Sequence, residues 1–219
     1  MGTPDALFFD VDGVLIDSLL VKGEALADTF DDFPNSRQIV VDFHLANGGV
    51  TRSKKIAALY RLLAGVEAPQ QELDSRIARF AGAVRDRVVA ADEIAGAESA
   101  VRRWTTRCPL HAVSATPDDE LQRILSSRGI RPYFRSIHGW PPAKDETIAG
   151  LLGWHGYSPN LCVLIGDSRE DLLASQRTGV RFVHVSASDT KGLPGNHPTI
   201  SDLQVLDSAI MRALADQPI

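Results

Sequence analysis

Two periods alternate along the chain. Short apolar runs at Ala6–Phe9, Leu110–Val113, Leu161–Ile165 and Val180–Val185 have the length of buried strands rather than of helices. Between the later runs, apolar residues recur three and four positions apart. Leu121, Ile124 and Leu125 form one such face before Gly129. Ile148, Leu151 and Leu152 form another, and Leu172 and Leu173 with Gln176 precede Gly179. That spacing puts one face of a helix against a core, and a glycine just past it marks the stop. Strands alternating with helices predict βαβ units and a parallel sheet. A further short strand is predicted near Ser136–His138 and a last helix over Leu203–Ala215. The stretch Ser186–Pro198 holds Gly, Pro, Asn and Ser without a period and reads as a surface loop.

The rhythm breaks between Asp17 and Ile94. No strand pattern occurs there, while Ile56, Leu59, Tyr60 and Leu63 follow helical spacing, as do Leu73, Ile77, Phe80, Val84 and Val88. The expected organisation is an α/β core made of residues 1–16 and 95–219, with an all-helical insert, 17–94, placed after the first strand. Gly96 opens a helix that brings Val101 and Trp104 back to the sheet.

Composition narrows the class. A chain of 219 residues with 44 % apolar residues can bury a substantial core. A formal charge of −5, without a basic tail, argues against a partner held by its phosphate backbone, so no nucleic acid is expected. No apolar run reaches the roughly 20 residues of a membrane span, and the first residues lack the pattern of a secretory signal. The expectation is a cytoplasmic protein without a membrane partner. Cys108 and Cys162 have neither disulfide-framework nor metal spacing and sit beside apolar residues, so they read as structural.

The polar residues at the strand ends carry the chemistry. "LFFDVDGVLIDS" places Asp10 and Asp12 just beyond the first strand, "LHAVSAT" ends in Ser114 and Thr116, and "LCVLIGDSRED" ends in Asp167, Ser168 and Asp171. In parallel α/β sheets ligands bind outside the carboxyl ends of strands, so neighbouring strands bring these groups into one crevice. Gathered carboxylates repel, and must either take up protons or share a hard cation. An oxygen-only donor set is one that Mg²⁺ accepts. Such a metal commonly serves a phosphate. Lys144 in "PPAKDETI" can add positive charge, and Ser114 can donate its hydroxyl and backbone N–H to a phosphoryl oxygen.

These segments taken in order, "DVDGVLIDS", "VSAT", the Lys144 region and "GDSREDLLAS", resemble the four motifs of the haloacid dehalogenase superfamily, in the branch of the phosphoglycolate phosphatases and β-phosphoglucomutases. The resemblance implies a Rossmann-like parallel sheet with helices on both faces and a helical cap. It also implies Mg²⁺-dependent phosphoryl transfer through an aspartyl-phosphate. Asp10 is then the nucleophile and Asp12 the general acid/base, with Ser114, Ala115 and Lys144 meeting the phosphoryl group. Asp10, Asp12, Asp167 and Asp171 are the implied metal residues, Asp12 through its backbone carbonyl and Asp171 either directly or as support. A second aspartate at position 12 favours phosphate esters over halides as substrates.

Within the insert, "NGGVTRSKKIAAL" concentrates cations at a helix start, where each opposes the macrodipole by about 0.3–1 kcal/mol. A bound anion would reverse that cost. The stretch resembles the cap segment of β-phosphoglucomutase and related sugar phosphatases, which assigns Gly49 and Arg52 to the substrate. His44 reads as a structural or surface residue. Three functions compete: a phosphatase for a small phosphorylated metabolite such as a sugar phosphate or phosphoglycolate, a phosphosugar mutase using the same phosphoenzyme, and a non-catalytic binder of such metabolites.

Overall fold

In the computed structural model, which describes residues 2–186 and 192–215, six parallel strands form one sheet. The strands are β1 (Ala6–Phe9), β2 (Leu110–Pro117), β3 (Ser136–Trp140), β4 (Cys162–Gly166), β5 (Arg181–Val185) and β6 (Thr199–Ile200). They lie in the order β3-β2-β1-β4-β5-β6, so β1 is flanked by β2 on one side and β4 on the other. Leu7 is in register with Leu110 and with Val163. All four β1 residues are fully buried, and the period of two divides them between the faces. Leu7 and Phe9 pack with helices α5 (Ala97–Trp104), α6 (Asp118–Ser127) and α9 (Leu206–Ala215). Ala6 and Phe8 pack with α7 (Lys144–His155) and α8 (Arg169–Thr178). Helices therefore cover both faces, as the family resemblance implies, and the sheet is parallel, as the alternating pattern predicts.

The differences from the expected elements are local. β2 runs on to Pro117, β4 is shifted by one residue behind a 3₁₀ turn at Pro159–Leu161, and β6 escapes the pattern because two residues carry no period. The last helix begins as a 3₁₀ turn at Leu203–Val205. The loop expected at Ser186–Pro198 lies partly outside the described residues. Both cysteines are buried and unpaired, and burial pushes their thiols up, Cys108 to about 11 and Cys162 to about 12. Among the described residues no helix is long and apolar enough to cross a membrane.

Four helices follow β1: α1 (Leu19–Ala27), α2 (Arg37–Ala46), α3 (Arg52–Ala64) and α4 (Gln70–Ala90). α1 packs on α2 and α4, and α3 on α4. Arg76, 3 % exposed, stands inside this group over the rings of Phe30, Phe33 and Tyr60 and forks onto Asp32. The two connections to the sheet run side by side. Asp17 N–H donates to Asp92 O at 2.9 Å and Ile94 N–H to Leu15 O at 3.2 Å. Arg128, which caps the end of α6, ties the same place, donating to Val89 O (3.0 Å) and Ala91 O (2.6 Å).

Candidate active site

The central strands deliver the carboxylates together. Asp10 N–H donates to Ile165 O at 2.9 Å, so β1 keeps its pairing with β4 one residue past its end. Asp10, Asp167 and Asp171 each present a carboxylate oxygen within 4.8 Å of the others. Lys144, first residue of α7, sits 3.1 Å from Asp10 Oδ2 and donates to Asp171 Oδ1. The other oxygen of Asp171 accepts from the Ser168 N–H (3.1 Å) and hydroxyl (2.6 Å), within the capping box that starts α8. Both Asp171 oxygens are thus engaged by the protein. Gly166 permits the approach: a Cβ there would stand 2.4 Å from Asp171 Cβ.

Burial is the main cause of the electrostatic strain. It pushes Asp10 up to about 7, Asp171 and Asp12 add to the rise, and Lys144 opposes it. Burial, Asp10 and Asp171 likewise raise Asp167 well above the ordinary carboxylate range. Desolvation would strip Lys144 of its proton, but Asp10 and Asp171 outweigh it and hold its ammonium firmly. One lysine among three carboxylates, two buried and one half-buried, leaves negative charge uncompensated. Hard oxygen donors with surplus charge fit a divalent cation such as Mg²⁺.

Asp12 has a different setting. Burial works against its charge, yet Lys22 (2.5 Å), Ser18 (2.5 Å) and Thr116 (3.0 Å) outweigh it and hold the carboxyl at about 2. Lys22 also meets Thr116 Oγ1 at 3.0 Å. Adjacent aspartates are thereby driven apart in proton affinity, as in sites that divide acid–base work between two carboxyls. Ser114, 6 % exposed, accepts from the Thr116 N–H at 3.1 Å, which leaves its own hydroxyl proton free to donate.

Helices α1 to α4 roof this floor. A cavity of about 70 Å³ is lined by Asp10, Asp12, Ser114 and Asp167 below, and by Lys22, His44, Arg52 and Lys55 above. A second, of about 250 Å³, carries Lys54, Lys144 and Arg177, and both share Gly49, Val50, Ser114 and Ala115. The Gly48–Gly49 turn lies directly on the loop after β4. Gly49 has φ +72°, and a Cβ there would come 2.7 Å from Ser168 Oγ and from Glu170 Cβ. Gly13, at φ +76°, similarly leaves room for Asp167 Oδ2, 2.5 Å from where its Cβ would be. Arg52 lines the cavity, but its guanidinium stacks on Phe80 and forks onto Glu120 of α6 at 2.9 and 2.8 Å.

The structure therefore gathers Asp10, Asp12, Ser114, Ala115, Lys144, Asp167 and Asp171 at one crevice, with Gly49 and Arg52 on its roof. Sequence reasoning passed over Lys22 and Glu120, counted Lys55 only among the cations at a helix start, and set His44 aside. Lys22 left a trace, a lone cation in the apolar run "LLVKGEALA". The pairing of Arg52 with Glu120 has no sequence signal, because residues 68 positions apart meet only when the insert closes on the core.

A parallel sheet that collects carboxylates, a buried lysine and a hydroxyl at its strand ends, under a helical roof, defines a capped α/β enzyme built around an anionic substrate. Residues 7–185 match the family described as haloacid dehalogenase-like hydrolase. Phosphoglycolate phosphatase 1 of Pseudomonas aeruginosa is 24 % identical over 204 residues, covering 87 % of this chain and 72 % of that protein. Among solved structures, a Haemophilus somnus protein described as a phosphoglycolate phosphatase superposes with a TM-score of 0.75 at 19 % identity, over 95 % of this chain and 98 % of its own. A Thermotoga maritima protein described as a β-phosphoglucomutase does so with a TM-score of 0.70 at 19 % identity, over 93 % and 97 %. At such identities the superpositions speak for the fold alone. The chain belongs to the haloacid dehalogenase-like hydrolases.

Proposed function

We propose that this hydrolase is a Mg²⁺-dependent phosphatase that cleaves a small phosphorylated metabolite through an aspartyl-phosphate on Asp10. The observation that carries the reading is the cluster of Asp10 after β1, Asp167 after β4 and Asp171 at the start of α8, with Lys144 among them. Asp10 attacks the phosphorus, the ester oxygen leaves, and water later breaks the acyl-phosphate, so one difficult displacement becomes two. Lys144 and the Ser114 hydroxyl hold the phosphoryl oxygens and offset charge that develops on them. The cation, held by Asp10, Asp167 and the Asp12 backbone carbonyl, would supply further charge neutralisation for nucleophile and phosphate. Asp171, with both oxygens taken, positions Lys144 and the loop after β4. Asp12 in its acid form protonates the leaving oxygen; then anionic and held so by Lys22, it takes a proton from the attacking water, which restores the acid. Residues 17–94 act as a cover that moves on the paired connections near Leu15–Ser18 and Ala91–Gly96 and excludes bulk water.

The test has two arms on purified protein. Asp10→Asn is expected to retain the fold and lose phosphate release entirely, since an amide forms no acyl-phosphate. Chelation is expected to abolish the wild-type rate and added Mg²⁺ to restore it. Phosphate release by metal-replete Asp10→Asn at more than a few per cent of wild type would overturn the assignment. A bisphosphate-primed isomerisation faster than phosphate release would instead identify a mutase.

A further inference from the structure

The start of α3 divides the roof between two cavities. Arg52 and Lys55 line the smaller one beside the nucleophile, whereas Thr51 and Lys54 line the larger, of about 250 Å³. Thr51 is the N-cap of this 13-residue helix, yet its side chain caps nothing. An N-cap threonine ordinarily accepts from an N–H of the first turn. Here the hydroxyl is buried with no hydrogen-bond partner among the described residues, in a residue 8 % exposed. Within the helix the first N–H to find an acceptor is that of Lys55, on Thr51 O at 3.0 Å, and the first turn holds no acidic residue. Open N–H groups at a helix start attract an anion, and Lys54 stands exposed at the rim to add charge. Of the other charged groups on this wall, Arg177 is paired with Asp145 at 3.0 Å, and Lys144 with Asp10 and Asp171. Glu170 remains, a half-buried carboxylate with no cation paired to it among the described residues.

We propose that the larger cavity is a binding site for inorganic phosphate, separate from the seat of the reacting phosphoryl group. The α3 N-terminus, the Thr51 hydroxyl and Lys54 hold the ion, and Glu170 accepts a hydrogen bond from it. Glu170 is placed for this, since its Cβ lies 2.7 Å from where a Cβ on Gly49 would stand, two residues before Thr51. A carboxylate beside an anion site selects by proton count. Near neutral pH inorganic phosphate still carries a P–OH, which can donate to Glu170. Sulfate carries none, and neither does a phosphomonoester once its second proton is lost, at about pH 6. The unpaired carboxylate repels both. The site thus takes free phosphate and turns away the ester. Its position has a use under the phosphatase reading, on which the proposal does not rest. Ser114 and Ala115 line both cavities and Lys144 lines the larger, whereas Asp12 lines only the smaller. Phosphate set free at those three groups has a second seat next to them, away from Asp12. At about 10–15 Å³ per water, a cavity of about 250 Å³ admits the ion together with part of its hydration.

The experiment titrates inorganic phosphate, and separately sulfate, into chelator-treated protein by calorimetry. Without metal the carboxylates of Asp10, Asp167 and Asp171 repel an anion from the nucleophile, so the signal reports the larger cavity. Wild type is expected to bind phosphate roughly tenfold or more tightly than sulfate, the effect of one charge-assisted hydrogen bond. Glu170→Gln should bring the two ions to within a few-fold of each other, because an amide donates to either. Thr51→Val should weaken phosphate by roughly tenfold, and Thr51→Ser should retain it. No binding, equal affinity for sulfate in wild type, or indifference to either Thr51→Val or Glu170→Gln overturns the proposal. Binding that occurs only with Mg²⁺ overturns it as well, by placing the ion at the nucleophile. None of these results bears on the phosphatase reading, which turnover by Asp10→Asn decides separately.

Discussion

Single residues in this protein are set by what burial does to charge. Asp10 and Asp12 stand two positions apart, yet one is pushed to about 7 and the other to about 2, because Lys144 is shared among several carboxylates whereas Lys22 serves one. His111 of β2 is a counterpart outside the cavity lining. It is fully buried, stacks on Phe8 and meets Ser136 Oγ at 2.6 Å. Burial, then His155 and His138, holds it down to about 3 from an ordinary 6.5. Between those values the unfolded chain binds a proton there that the folded protein refuses, so stability falls as pH falls, by up to about 1.4 kcal/mol per pH unit. Asp10 has the opposite sign, since its raised pKa makes the folded state hold the extra proton. Only a difference isolates His111. Urea unfolding of His111→Phe at pH 7, 6, 5 and 4 is expected to show a dependence flatter than wild type by close to one proton; parallel curves would contradict this.

The elements were legible where a period was long enough to read. β1, β2, β4 and β5 stood out as apolar runs, and α3 and α4 as helical faces, because burial on a sheet or a helix stripe forces those periods on the sequence. β6 has two residues and no period to show. The site carboxylates were visible as polar stops after apolar runs. The roof was legible as a helical insert, but its pairings with the core were not, since they join different elements and meet only on closure. The Gly48–Gly49 turn could be seen as a bend but not as a fit against Ser168 and Glu170. That fit makes a prediction. Gly49→Ala adds a methyl into a 2.7 Å gap at a left-handed φ, a strain of order 1–3 kcal/mol. The turn should lift off the loop after β4. At least a tenfold loss of kcat/KM in phosphate release is expected, with a melting temperature lowered by only a few degrees. Wild-type kinetics would show that this contact has no catalytic weight.

At the scale of the molecule, two ion pairs among the described residues join roof to floor, Lys22–Asp12 and Arg52–Glu120. If Arg52 acts as a clamp, its worth lies in the pair rather than in the substrate. Arg52→Ala and Glu120→Ala should then each lower kcat/KM by roughly 10-fold or more, and the double variant should lose no more than the worse single one. Additive losses would instead assign Arg52 to the substrate, the role its sequence context suggested.

The strand order has a consequence for how the chain comes into being. β1 leaves the ribosome first, but both its neighbours, β2 and β4, come much later. Pairing strands so distant is slow, whereas helices built on local contacts form quickly. The four roof helices follow β1 at once, and they carry their own knot of Phe30, Phe33 and Tyr60 around Arg76. During synthesis the helical roof is therefore expected to take shape before the sheet beneath it exists. Meanwhile the "ALFF" segment must wait, unpaired and sticky, beside a finished neighbour. That interval is when the nascent chain is most exposed to aggregation.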